Sequence, residues 1–215
     1  MQTRATEQLA HQFEADGAVV ILRDEIPLST EQWRSVEAIV RDIEYARIVG
    51  GDTGDAHSVW VGRFVNDVDR PQLLHDSSEQ LLNVLFSDPM QRFFGQIIGA
   101  QPLCVRRCQA NRLFVGDFIG HHIDRDTTPD YLATAIFQLS DAFEGGEFVL
   151  YHPERGQYTV NLPKYSLVLN RGDIPHEVLP VQHGMRQSLA CFFSTNFGPT
   201  HKPRTDFKID PGEAR

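Results

Sequence analysis

From Pro102 onward the chain is a succession of short apolar runs punctuated by Gly, Pro and Asp, and this pattern limits the possible folds more than anything else in it. The runs cover 103–109, 113–119, 132–139, 147–151, 157–161, 166–170, 176–181 and 187–193. Short strands in series without intervening helices imply an antiparallel double sheet closed as a jelly roll, the cupin-like double-stranded β-helix. In such a barrel the ligand site lies between the sheets, where inward side chains from several strands converge.

The first hundred residues read mainly as helix. Leu9 and Phe13 mark a short helix ending at Gly17, followed by an apolar strand over 18–22. A second helix starts near Ser29, where Ser-x-x-Gln offers a capping box, and carries Trp33, Val36, Val40 and Ile43 on one face. Asp88-Pro89 opens a third, with Met90, Phe93, Phe94, Ile97 and Ile98 as its stripe and Gly99 as its stop. Such stripes fit helices lying on the outside of a sheet. Residues 50–66 are polar and glycine-containing, hold Trp60 and Arg63, and lack periodicity, so they are expected to be a functional loop closing over bound substrate. With 215 residues and 41% hydrophobic content, one domain is expected: 1–100 as helical support and lid region, 101–197 as jelly-roll core.

The chemistry-bearing residues begin at His122-Ile123-Asp124. Nine histidines and 17 aspartates make one bare His-x-Asp roughly a chance event, so the spacing alone carries little. Strand geometry adds weight, because residues i and i+2 share a face, letting His122 and Asp124 reach one metal while His121 and Ile123 point away. His176 is the candidate third ligand. Two imidazoles and one carboxylate leave coordination positions open, as in non-haem iron(II) sites, whereas structural zinc closes all four. Ten residues after His176, Arg186 and Ser188 share a strand face, and a guanidinium fork beside a hydroxyl suits a carboxylate. Asp126 competes with Asp124 for the carboxylate role, but 127–130 reads as a turn. His121 reads as solvent-facing or supporting, and His152-Pro153-Glu154 as a decoy whose proline interrupts the strand.

These elements resemble the non-haem iron(II), 2-oxoglutarate-dependent dioxygenases, in order and spacing the prolyl 4-hydroxylase-like branch. The resemblance spans 111–193: Gly116 six residues before the first histidine, Gly145-Gly146-Glu147, a His-x-Val-x-Pro-Val run from His176, and Gly-x-Arg-x-Ser ending at Ser188. It implies iron held by His122, Asp124 and His176, and 2-oxoglutarate held by Arg186 and Ser188, with Asn111 a further candidate. Many members carry a tyrosine where this chain has Leu113. The implied reaction consumes oxygen and 2-oxoglutarate, releases succinate and carbon dioxide, and hydroxylates a substrate C–H bond, with ascorbate as reductant. An intact Asp124 implies hydroxylation over halogenation. Arg125, Trp60, Arg63 and Arg112 are the candidate substrate contacts. A small polar metabolite such as an amino acid or natural-product intermediate is the expected substrate; a peptide side chain is the alternative, and a non-catalytic cupin-like binding protein the reading from another class.

The net charge of −9 and pI near 5.4 argue against nucleic acid or an anionic membrane as partner, since phosphate binding relies on clustered Lys and Arg. There is no apolar leader-like segment and no run of 18 apolar residues, so neither secretion nor a membrane span is expected. Cys104, Cys108 and Cys191 are odd in number and spaced unlike a zinc motif, which fits free thiols in a cytoplasmic protein.

Overall fold

The computed structural model describes residues 4–51, 55–201 and, as backbone, 209–214. Its N-terminal part runs α1 (Thr6–Asp16), β1 (Ala18–Ile21), α2 (Thr30–Arg41), β2 (Ala46–Val49), β3 (His57–Asp67), β4 (Pro71–Leu73), α3 (Asp76–Leu85) and α4 (Asp88–Ile98). The remainder is β5 (Cys104–Leu113), β6 (Phe118–His122), the helical turn α5 (Asp124–Thr127), β7 (Ala133–Gln138), β8 (Phe143–Gly145), β9 (Phe148–His152), β10 (Gly156–Val160), β11 (Leu167–Arg171), β12 (His176–Val178), β13 (Val181–Gly184), β14 (Arg186–Ser194) and β15 (Ile209–Ala214).

The strands pair in the order β1-β11-β7-β14-β5-β3-β6-β12-β9-β10, and the named pairings are antiparallel. β3 joins the two walls. Its first residues pair with β6, His57 opposite Ile119, and its later ones with β5, Arg63 opposite Gln109. The result is the jelly roll expected from the strand pattern, with β1-β11-β7-β14-β5-β3 as one wall and β6-β12-β9-β10 as the other.

The helices lie where their stripes require. The α2 capping box is formed, Gln32 N donating to Ser29 Oγ at 3.2 Å and Ser29 N to Gln32 Oε1 at 2.8 Å. Trp33, Phe94, Phe64, Phe137 and Phe193 join one core cluster, between the helices and the outer face of the larger wall. A second cluster, including Leu113, Ile136, Phe148, Val168 and Val178, fills the space between the walls. Strand alternation divides β14 between them: Leu189, Cys191 and Phe193 belong to the outer cluster, Ala190 and Phe192 to the inner one. That parity turns Arg186 and Ser188 inward.

Four sequence expectations change. Of the expected loop 50–66, residues 52–54 lie outside the described residues and 57–66 are not loop, because 57–67 form β3 at the centre of the sheet and 46–49 pair with it. Both faces of β3 are covered, so no polar-apolar alternation signals the strand. The first hundred residues, mainly helix among their regular elements as expected, are not helical support alone, since they also supply β1, β2, β3 and β4. The expected strands over 103–109 and 113–119 divide differently, β5 running unbroken to Leu113 and a turn preceding β6. The run from His176 is broken into β12 and β13 around Pro180. Among the described residues no helix is long and apolar enough to cross a membrane.

A buried ion pair braces one end of the barrel. Arg106 holds Asp67 through Nε and Nη2 at 2.8 Å each, both side chains fully buried. The same guanidinium donates to the carbonyls of Asn196 and Gly198, fastening the segment after β14.

Candidate active site

His122 ends β6 and sits opposite His176 of β12. Ile123 is still extended, at φ −122° and ψ 127°, so the strand parity carries one residue further and brings Asp124 to the same side before α5 begins. Asp124 Oδ1 lies 3.5 Å from His122 Nε2 and 3.7 Å from His176 Nε2. One ligand atom from each of the three residues falls within 4.8 Å of the others.

The surroundings fix how these groups present themselves. His122 Nδ1 is 2.8 Å from Gly120 O, and His176 Nδ1 is 2.9 Å from Ile174 O. A carbonyl only accepts, so each Nδ1 carries the proton and each Nε2 offers its lone pair toward the cluster, as in metal-ligating histidines whose other ring nitrogen is held by a backbone carbonyl. Asp124 Oδ2 accepts from Thr134 Oγ1 at 2.5 Å, which orients the other oxygen.

Burial would raise the Asp124 carboxyl, but His176, His122 and Thr134 hold it well below the ordinary carboxylate range. His176 is pushed down to about 4, first by burial and then by His122 beside it. His122 is buried too, yet the hydrogen bond and charge of Asp124 outweigh that and raise it. The donor set fits a divalent metal with open positions, which would replace the proton shared among these groups.

The cavity extends from this cluster along β14 to Arg186, with Ser188 and Asn111 on the rung between, cross-strand partners in the register. Arg186 is 2% exposed. Its Nη1 donates to Ser188 Oγ at 3.3 Å, while Nη2 is buried and finds no hydrogen-bond partner among the described residues. Burial pushes its pKa down to about 10. A buried cation with an unmet donor is the expected mark of an anion site. Gly146, at φ 64°, makes room for it, since a Cβ there would come within 3.1 Å of Arg186 Cδ.

The sequence-proposed substrate residues fare unequally. Arg63 lines the cavity. Trp60 does not: three positions earlier on β3 it has the opposite parity, is 4% exposed in the outer core, and meets Phe114 edge-on at 6.3 Å. Arg112 is also outward, its guanidinium 3.8 Å above the Tyr45 ring and donating to Arg41 O. Arg125 is exposed on α5, outside the cavity lining. Asp126 is exposed on the same turn and outside the cluster. His121 faces outward against Tyr151, and His152 accepts from Glu154 N and Arg155 N in its own turn. Cys108 and Cys191 are core neighbours with sulfurs 3.4 Å apart.

Sequence reading missed Arg107, Gln109, Thr134, Asp55 and His57, all of which line the cavity. The alternation Arg107, Gln109, Asn111 along β5 was the available signal. Asp55 and His57 form a pair beside the cluster, 2.8 Å apart, with His57 Nδ1 accepting from Gly120 N and the two imidazoles of His57 and His122 meeting edge-on.

A jelly roll with a two-histidine, one-carboxylate cluster at one end of its cavity and a buried arginine at the other defines a recognisable class. Residues 108–194 match the model of the 2OG-Fe(II) oxygenase superfamily. A PKHD-type hydroxylase of Parvibaculum lavamentivorans is 36% identical over 107 residues, 45% of this chain and 46% of that protein. The match thus spans about half the length of this curated relative. An oxidoreductase of the 2OG-Fe(II) oxygenase family from Burkholderia pseudomallei superposes with a TM-score of 0.82 at 28% identity, covering 95% of this chain and 98% of that one. A prolyl-4-hydroxylase of Pseudomonas putida shares the fold, with a TM-score of 0.61 at 18% identity, over 89% of this chain and 100% of that one. Over residues 108–194 the chain is similar to the 2OG-Fe(II) oxygenase superfamily, and over nearly its whole length to a solved protein of that family.

Proposed function

We propose that this protein is an iron(II)- and 2-oxoglutarate-dependent hydroxylase acting on a C–H bond of a small polar metabolite, such as an amino acid or a natural-product intermediate. One observation carries the reading. A single cavity holds the His122–Asp124–His176 cluster and, at its far end, a buried guanidinium with an unmet donor. His122, Asp124 and His176 would hold iron(II). Together with 2-oxoglutarate and oxygen the metal supplies the oxidising power, with succinate and carbon dioxide as co-products and ascorbate as the external reductant.

The protein's own work is placement. Gly120 O and Ile174 O fix the two imidazoles, and Thr134 turns Asp124 toward them. Arg186 and Ser188 receive the distal carboxylate of 2-oxoglutarate, and Asn111 stands opposite Ser188 to add an amide. Leu113 leaves no phenol on the next rung, so this chain relies on the arginine and serine more than relatives with tyrosine there. Phe148, Ile136 and Val178 give the cavity apolar walls that keep water off the reacting centre. The free thiols Cys104, Cys108 and Cys191 suit a reducing compartment such as the cytoplasm.

The test is conversion of 2-oxoglutarate to succinate by the iron-loaded protein with metabolite extracts, followed by a search for products that gain one oxygen. His122→Ala, Asp124→Ala and His176→Ala should each abolish it, and Asp126→Ala should remain active. Activity in Asp124→Ala with loss in Asp126→Ala would transfer the carboxylate role. No succinate from the wild type under any condition would leave a cupin-like binding protein.

A further inference from the structure

We infer, on the basis of the oxygenase reading above, that the prime substrate carries a carboxylate, held by Arg107 with Gln109 and Arg63 across the cavity from the His122–Asp124–His176 cluster. The strand register carries the argument. Rising along β14 from Arg186, Ser188 faces Asn111, Ala190 faces Gln109 and Phe192 faces Arg107; on the other side Phe192 faces Thr134. Thr134 is the residue bonded to Asp124. At about 3.3 Å per residue, Arg107 stands roughly 13 Å beyond the Ser188 rung, level with the cluster but on the opposite wall. The cavity that Arg107 lines also holds the cluster, so a small molecule bound there can reach both. In the oxygenase reading Arg186 and the cluster would take the two carboxylates of 2-oxoglutarate, so Arg107 stands outside co-substrate binding.

Arg107 is held in place for such a role. Its Nε donates to Gln109 Oε1 at 2.8 Å, Gln109 Nε2 donates to Asn111 Oδ1 at 3.0 Å, and the guanidinium lies 5.2 Å from the Phe192 ring centre. A guanidinium fixed through Nε and stacked on a ring presents its fork with little orientation left to lose. Arg63 is directly opposite Gln109 on β3 and lines the same cavity, so a second guanidinium converges there. Each has contacts within the protein, and a fork of five N–H donors can serve those and a carboxylate together. This anchor would leave the rest of the substrate directed at the cluster.

The test uses wild type, Arg107→Gln, Arg107→Lys and Arg63→Gln, loaded anaerobically with iron(II) and 2-oxoglutarate. The charge-transfer absorption of that complex reports metal and co-substrate binding. Saturation-transfer NMR then measures binding of the proteinogenic L-amino acids and simple aryl and hydroxy acids, each beside its primary amide, with phosphomonoesters as a further set. At least one acid should bind with its amide about 30-fold weaker, and Arg107→Gln should erase that preference while 2-oxoglutarate affinity changes less than about threefold. Arg107→Lys should restore part of it, and Arg63→Gln, on a different strand, should lower it independently. Acids binding no better than amides, no acid binding, phosphomonoesters binding better than acids, or equal loss of acid and 2-oxoglutarate affinity in Arg107→Gln would each overturn the proposal. A missing absorption band in the wild type would count against the oxygenase reading, while the acid-over-amide comparison still decides the carboxylate site.

Discussion

Replacing Arg186 by methionine should make the protein more stable without 2-oxoglutarate and much poorer at binding it. The side chain is buried and, among the described residues, donates one hydrogen bond, to Ser188, and has an unmet Nη2. Its pKa is lowered by burial from an ordinary 12.5 to about 10, which corresponds to about 3 kcal/mol against the cation. Methionine removes that cost and forfeits the Ser188 bond, worth about 1 kcal/mol. The balance, about 2 kcal/mol, raises the melting temperature by roughly 4–8 °C for a chain of this size. The carboxylate that relieves the cation in the wild type then has no partner, and losing a buried charge-assisted pair costs about 2–5 kcal/mol, at least 30-fold in Kd. Thermal melts with and without 2-oxoglutarate, and calorimetric titration, measure both effects. In the wild type, co-substrate at about 100 times Kd should add about 2.7 kcal/mol, and in the variant at the same concentration far less. A variant that melts well below the wild type and keeps its 2-oxoglutarate affinity would mean that Arg186 braces the fold and anchors nothing.

Thr134→Val removes the hydroxyl that orients Asp124 and should weaken cobalt(II) or iron(II) binding about 10–100-fold with the fold intact; an unchanged metal Kd would show that Asp124 needs no such support. Asp67→Ala strands the Arg106 charge in a fully buried position and should cost about 3–5 kcal/mol, read as a lower urea midpoint at constant slope. Trp60→Ala should cost about 3–5 kcal/mol by opening a core cavity while leaving the ratio of succinate to oxidised product unchanged; a changed ratio in a stable variant would return Trp60 to the active site.

The jelly roll was legible because its strands are short, punctuated by turn residues and free of helical periodicity, and the cluster was legible because i and i+2 share a strand face wherever the strand stops. Arg186 and Ser188 followed from the same parity on β14. What local sequence could not decide was which face of β3 meets the cavity, or that 57–67 is a strand at all. With helices on one side and the cavity on the other, both faces are buried, and the alternation that marks a half-solvated strand disappears. Trp60 and Arg63 differ by three residues and therefore by parity, so only the pairing of β3 with β5 could send the tryptophan outward and the arginine in. Arg107 and Gln109 likewise gained meaning only when β14 laid Phe192 and Ala190 beside them, because a polar residue on a strand reads as solvent-facing until the opposite wall shows that the space it faces is enclosed.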